Sequence, residues 1–157
     1  MKKSLFYAGL VFLADQLSKL YITWVLMDEK NVLKVTSFLN IVNVRNKGVS
    51  FSFLSNDSQI MQYFIMLMVS AIVLWLLLWL RKEKDCWVRL SLAFIIGGAF
   101  GNLLDRFAYG AVVDFIDFHI FGLHWPAFNI ADTFICVGAF ILMWRTILTP
   151  VKRIDGE

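Results

Sequence analysis

Charge is scarce in this 157-residue chain: 17% of its residues are Asp, Glu, Lys or Arg, against 59% hydrophobic. An ordinary soluble domain carries about 25% charged residues, so a small water-exposed globule is excluded, because its core could not hide this much apolar surface. Proline occurs twice, at Pro126 and Pro150, and no low-complexity tract, linker or internal repeat is present, so the chain reads as one unit. Two cysteines exclude a disulfide framework. Cys86 falls in a predicted loop and Cys136 inside an apolar span, at different membrane depths, and neither has an obvious base to activate it, so both are expected to pack. A serine mechanism lacks support too: Ser50 and Ser52 lie beside Gly48, but nothing fixes a histidine near them. The net charge of +3 follows the placement of loop lysines and arginines and gives no support to a nucleic-acid partner.

What the chain does have is apolar length. No charged residue occurs from Ser58 to Leu80, more than the roughly 20 residues that carry an α-helix across a hydrocarbon core. Spans are expected at about 5–27, 60–80, 88–107 and 128–148, with outer loops at 28–59 and 108–127. The first carries Asp15, Gln16, Ser18 and Lys19 mid-span and has bulky residues after them, unlike a cleaved signal segment, so it reads as a retained helix. Lys2, Lys3, Arg81, Lys82, Lys84, Arg89, Lys152 and Arg153 gather on the side of the termini, against Lys30, Lys34, Arg45 and Lys47 in the first outer loop. Positive charge near helix ends favours the cytoplasm, which puts both termini there. The first outer loop contains VTSFLNIVNV, the turn-like RNKG and the alternating VSFSFL, a strand-rich element. The expected fold class is a membrane protein: an all-α transmembrane bundle of four helices with a small β-rich extracytoplasmic element. Residues 112–121 satisfy neither a helical nor a strand period.

The polar residues inside this apolar chain must be paired or used. Asp15 and Lys19, four apart on a helix, share a face and can neutralise one another, which leaves a register-holding pair and a substrate contact both open. Asp105 and Arg106 are adjacent, so each needs its own partner, for anchoring or for chemistry. Gly97 and Gly101, one helical turn apart, predict close helix packing. Asn129 is a good N-cap for the fourth span, with Asp132 three residues on completing a capping pair. His119 and His124 share a loop with Asp114 and Asp117, which raises an Asp/His metal site, but the spacing matches no helical metal motif, and neither a metal nor another cofactor is expected.

Two carboxylates held within a few ångströms cannot easily both ionise, so they share a proton and offer an acid and a base at one pH. That suffices to activate water against an amide and protonate the leaving nitrogen. Asp132, in the first turn of a helix, is favoured in its charged form by the helix dipole. A partner flanked by Val113 and Phe115 would hold the proton more often; physics alone leaves Asp114 and Asp117 both open.

Four stretches carry a resemblance: DQLSK at 15–19, NVRNKGVSF at 43–51, GNLLDRFAYGAVVDF at 101–115 and FNIAD at 128–132. Together they resemble lipoprotein signal peptidase (signal peptidase II), a bacterial intramembrane aspartic protease, over nearly the whole chain. The resemblance implies a catalytic pair at Asp114 and Asp132, with Asp15, Lys19, Asn46, Gly48, Asn102, Asp105, Arg106 and Asn129 supporting the site or contacting substrate. It implies cleavage on the amino side of a diacylglyceryl-modified cysteine in a prolipoprotein that arrives through membrane lipid. It further implies a monomeric multi-pass protein of the bacterial inner membrane with its site near the outer face. The sequence departs at Val49 and Ser50, where the family more often has alanines. Phe51, Phe115 and Trp125 are expected to cover the substrate. The rival readings are a small ion or proton transporter and a membrane assembly subunit, in which the same charges relay ions or merely pair helices.

Overall fold

A computed structural model describes residues 1–25, 32–48 and 59–148. Four helices form the bundle: α1 (Lys2–Val25), α2 (Gln59–Lys82), α3 (Cys86–Tyr109) and α4 (Ile130–Leu148). All four are long and apolar enough to cross a membrane. Their outward faces carry large apolar side chains such as Leu17, Trp24, Leu67, Trp75, Phe140 and Trp144, the arrangement expected where lipid rather than water is the solvent. The first helix begins three residues before its expected start, and the third extends two residues beyond its expected span at each end.

The third helix is the axis of the bundle and packs against the other three. Its start is set by Asp85, whose carboxylate accepts the backbone N–H groups of Trp87 and Val88 at 2.8 and 3.1 Å, and its end by Gly110 at φ 68°, a left-handed cap open to glycine at no steric cost. The starts of α1 and α3 lie together, since Arg89 Nε donates to Ser4 Oγ at 3.3 Å. The end of α4 joins them through Arg145, whose guanidinium donates to Asp85 at 2.8 Å. Small residues set the helix separations. A Cβ on Gly97 would lie 2.5 Å from the Ala8 carbonyl oxygen of α1, one on Gly98 equally close to the Ala131 carbonyl of α4, and one on Gly101 would meet the Asp15 carboxylate. The spacing of Gly97 and Gly101 thus serves close packing, with Gly98 adding a second helix.

At the other end of the bundle lies a four-stranded antiparallel sheet of β1 (Leu33–Lys34), β2 (Leu39–Asn46), β3 (Val112–Ile120) and β4 (Leu123–His124), in that order. The β-branched run of the first outer loop supplies β2; the alternating VSFSFL lies outside the described residues. The segment with no clear period is β3. It is buried on both faces through most of its length, and a strand covered on both sides loses the polar–apolar alternation that would announce it. In β2 the register shifts between Ile41 and Val44. A bulge of this kind puts two residues opposite one and reverses the facing of the residues beyond it. Asn40 and Asn46 are six apart in sequence, yet they serve opposite faces of the sheet.

Gly97→Ala is expected to lower the melting temperature of the detergent-solubilised protein, with a cost of about 1–3 kcal/mol from overpacking against backbone. Gly9→Ala, where nothing lies within 4 Å of the added methyl, is expected to leave it unchanged or raise it.

Candidate active site

The site begins with a lysine that cannot reach water. Lys19 on α1 is 3% exposed and its ammonium meets Asp15 Oδ2 at 2.7 Å, Asp105 Oδ2 at 2.9 Å and Asn102 Oδ1 at 2.9 Å. An ammonium has three donors, and all three are used. The other oxygen of Asp15 accepts the Ala131 N–H at 2.9 Å, placing a carboxylate at the N-terminus of α4, where the unpaired N–H groups and the dipole both favour it. Asp105 Oδ2 also accepts the Val113 N–H at 3.2 Å, which ties the start of β3 to α3. One ion cluster therefore joins three helices and a strand.

From Lys19 the order passes outward through amides. Because Asn102 Oδ1 faces the ammonium, its Nδ2 is directed at Asp132 Oδ1, 2.7 Å away. Asn129 Nδ2 donates to Asp114 Oδ1 at 2.7 Å and lies 3.2 Å from Asn102 Oδ1. Asn46 Nδ2 at the end of β2 donates to the second Asp114 oxygen at 2.8 Å. Asn129 also caps α4: its side-chain oxygen accepts the Asp132 N–H at 2.9 Å, and Asp132 Oδ2 accepts the Asn129 N–H at 3.3 Å, a reciprocal pair. The capping geometry read from FNIAD is present, and the same Asn129 amide links the two aspartates. Arg106 donates to the Asn102 carbonyl at 3.2 Å and lies within electrostatic reach of Asp132, Asp114 and Asp105. Gly48, at φ 84°, donates its N–H to Asn46 Oδ1 at 2.8 Å; a Cβ there would lie 3.7 Å from the Arg106 guanidinium.

The strand separates the two candidates that the sequence left open. Residues three apart on a strand face opposite sides, so Asp114 and Asp117 diverge. Asp114 turns to Asn46 and Asn129; Asp117 turns to Asn40 and His124, each at 2.9 Å. Asp114 is 2% exposed. Burial raises its pKa to about 6, the Asp132 charge adds to the rise, and the amides of Asn46 and Asn129 oppose it. Around this point two basic side chains, Lys19 and Arg106, stand among four acidic ones, Asp15, Asp105, Asp114 and Asp132.

Family membership follows from the whole chain rather than from this geometry. A family model described as signal peptidase (SPase) II matches residues 7–148. The chain belongs to the signal peptidase II family. A lipoprotein signal peptidase of Shewanella baltica (strain OS195) is 43% identical over 153 residues, covering 95% of this chain and 88% of that protein. One from Janthinobacterium sp. (strain Marseille) is 43% identical over 141 residues, covering 87% and 83%. Among solved structures, a bacterial membrane enzyme superposes with a TM-score of 0.83 at 30% identity, covering 94% of each chain. Membership in signal peptidase II makes the chain a membrane peptidase, and the match in fold spans the bundle and sheet together.

Of the residues expected to support the site, Asp15, Lys19, Asn46, Asn102, Asp105 and Asn129 are joined by hydrogen bonds to one network. Gln16 was missed. Its amide donates to Asp15, to the Gly101 carbonyl and to Asp105 at 3.1–3.2 Å, and its only signal was its place beside Asp15 in DQLSK. Asn40, the partner of Asp117, was also missed, because the bulge that brings it there leaves no mark in the sequence. Phe115 is buried and Trp125 is 69% exposed, while Val49, Ser50 and Phe51 lie outside the described residues.

Lys19→Met is expected to destabilise the protein by roughly 3–5 kcal/mol, because it strands two buried carboxylates. Adding Asp105→Asn is expected to restore part of the lost melting temperature; a double variant no better than the single would count against charge imbalance as the cause.

Proposed function

We propose that Asp114 and Asp132 are the catalytic pair of an aspartic-type lipoprotein signal peptidase. The single observation that carries this reading is Asn129: its side-chain amide donates to the buried Asp114 carboxylate, whose pKa is raised, while its backbone N–H donates to the helix-capping Asp132 carboxylate. In the proposed reaction Asp132, at the start of α4, acts as the base and takes a proton from water as the oxygen attacks the scissile carbonyl. Asp114 gives its proton to the carbonyl oxygen, and the proton gained by Asp132 passes to the departing nitrogen. As the C–N bond breaks, Asp114 takes a proton back from the hydroxyl of the collapsing tetrahedral carbon, so both side chains return to their starting protonation, and no covalent intermediate forms. The proposed substrate is a diacylglyceryl-modified prolipoprotein, cut on the amino side of its lipidated cysteine. The exposed apolar faces of the bundle support entry of such a substrate from the lipid side. Lys19, Asn102 and Asn129 hold the pair, while Arg106 and the turn at Gly48 are proposed to contact the peptide.

The orientation proposed from the lysine and arginine placement has the sheet outward and both termini in the cytoplasm of a bacterial inner membrane. Reporter fusions at the C-terminus that act only on the outer side would sink it. Because one chain holds both aspartates and the residues bonded to them, a monomer is proposed. Co-expressed Asp114→Asn and Asp132→Asn chains are then expected to stay inactive together.

The decisive assay is purified protein in detergent with a lipidated precursor peptide. Asp114→Asn and Asp132→Asn are each expected to abolish cleavage, Asp117→Asn to retain it, and a chelator to leave it intact. Cleavage that survives either of the first two substitutions would overturn the pair. The pH dependence has a fixed sign: the proton on Asp114 is present below about pH 6 and lost above it. On this reading kcat/KM of the free enzyme falls above that point by about tenfold per pH unit.

A further inference from the structure

A second cluster of titratable side chains lies on the other face of β3. The hairpin from β3 to β4 turns in two residues, Phe121 at φ 49° and Gly122 at φ 80°, the positive pair that a tight hairpin turn demands. This turn sets His119 directly opposite His124, with their rings stacked at 5.1 Å between centroids and 15° between planes. Asp117, two residues before His119, lies on the same face. One ligand atom from each of the three lies within 4.8 Å of the others.

We propose that Asp117, His119 and His124 form a binding site for a divalent transition ion of the zinc type, separate from the aspartate pair. Three observations carry this. The donors are two imidazole nitrogens and one carboxylate oxygen, a set that suits Zn²⁺ and its neighbours rather than Mg²⁺ or Ca²⁺, which take oxygen. His119 Nδ1 is buried and has no hydrogen-bond partner among the described residues, so a ring nitrogen is left without the bond that burial ordinarily requires. Finally, Asp117 Oδ2 is held from behind by Asn40 Nδ2 at 2.9 Å, the kind of outer contact that orients a metal-binding carboxylate.

His124 Nδ1 lies 2.9 Å from both Asp117 oxygens, a contact the ion would replace by drawing the two groups and His119 onto a common centre. His119 and His124 line a depression of about 280 Å³ that Phe38, Leu123 and Trp125 also bound, room in which water would complete the ligands of the ion. The consequence is mechanical. The ion would fasten the short β4 to the strand that carries Asp114, while the reaction proceeds on the opposite face without it.

The test uses the full-length protein in detergent, purified without a histidine tag. Co²⁺ titration is expected to give visible ligand-field absorption of a tetrahedral site, saturating at one ion per chain and removed by Zn²⁺. Zn²⁺ is expected to raise the melting temperature of the wild type. His124→Ala, a change at a side chain that is 54% exposed and so tolerated by the fold, is expected to abolish both responses while lipidated-peptide cleavage persists. Absence of the absorption band in the wild type would overturn the proposal. So would a band and melting shift that survive in His124→Ala and in His119→Ala, since the ion would then be bound elsewhere. Because the readouts are spectroscopic and thermal, their failure leaves the peptidase assignment untouched, and loss of cleavage in Asp114→Asn leaves the metal site untouched.

Discussion

The arrangement depends first on the ammonium of Lys19. An ion in a bundle surrounded by lipid has no water to fall back on, so its three protons must find acceptors in the protein or the group must not be there. Here the acceptors come from α1 and twice from α3, and the carboxylates that answer the ammonium reach on to the start of α4 and the start of β3. The cluster gives each element one permitted position. It also fixes which way the Asn102 amide faces, and through it where Asp132 sits. Buried charge is a poor source of net stability; in this bundle its effect is on register and on side-chain orientation.

Close helix approach makes that cluster possible. Gly97, Gly98 and Gly101 bring α1 and α4 against α3 until backbone carbonyls and the Asp15 carboxylate occupy the space a side chain would fill. With larger residues the helices would stand further apart, and a short carboxylate such as Asp15 could not serve Lys19 and the Ala131 N–H together. The glycines of the third span and the charges of the first are therefore two halves of one device, although the sequence presents them as unrelated motifs.

The sheet does a different task, which is to sort aspartates. Asp114 and Asp117 are chemically alike and share an apolar neighbourhood in the chain, yet one faces the helix-capping asparagine and the other faces a histidine. Strand period separates them, and the β2 bulge supplies each with its own asparagine. Burial then distinguishes Asp114 further by making its proton harder to lose.

Four apolar spans, the Asp15–Lys19 pairing and the cap at Asn129 were all legible in the sequence, because each depends on spacing along one helix or on composition over a window. The motif resemblance named the same aspartates that the amides join. What the chain order could not reveal were β3, whose burial on both faces erased its period, and the bulge in β2. The convergence of Gln16, Asn40 and the two histidines was hidden for the same reason: these contacts join residues distant in sequence or depend on which face of a strand a side chain takes. The sequence by itself determined that the protein belongs in a membrane and that its few charges must be satisfied inside it, since lipid offers no alternative partner. Only the tertiary structure decided which carboxylate meets which amide, because that choice is made by strand register and helix separation, quantities defined between elements and not along them.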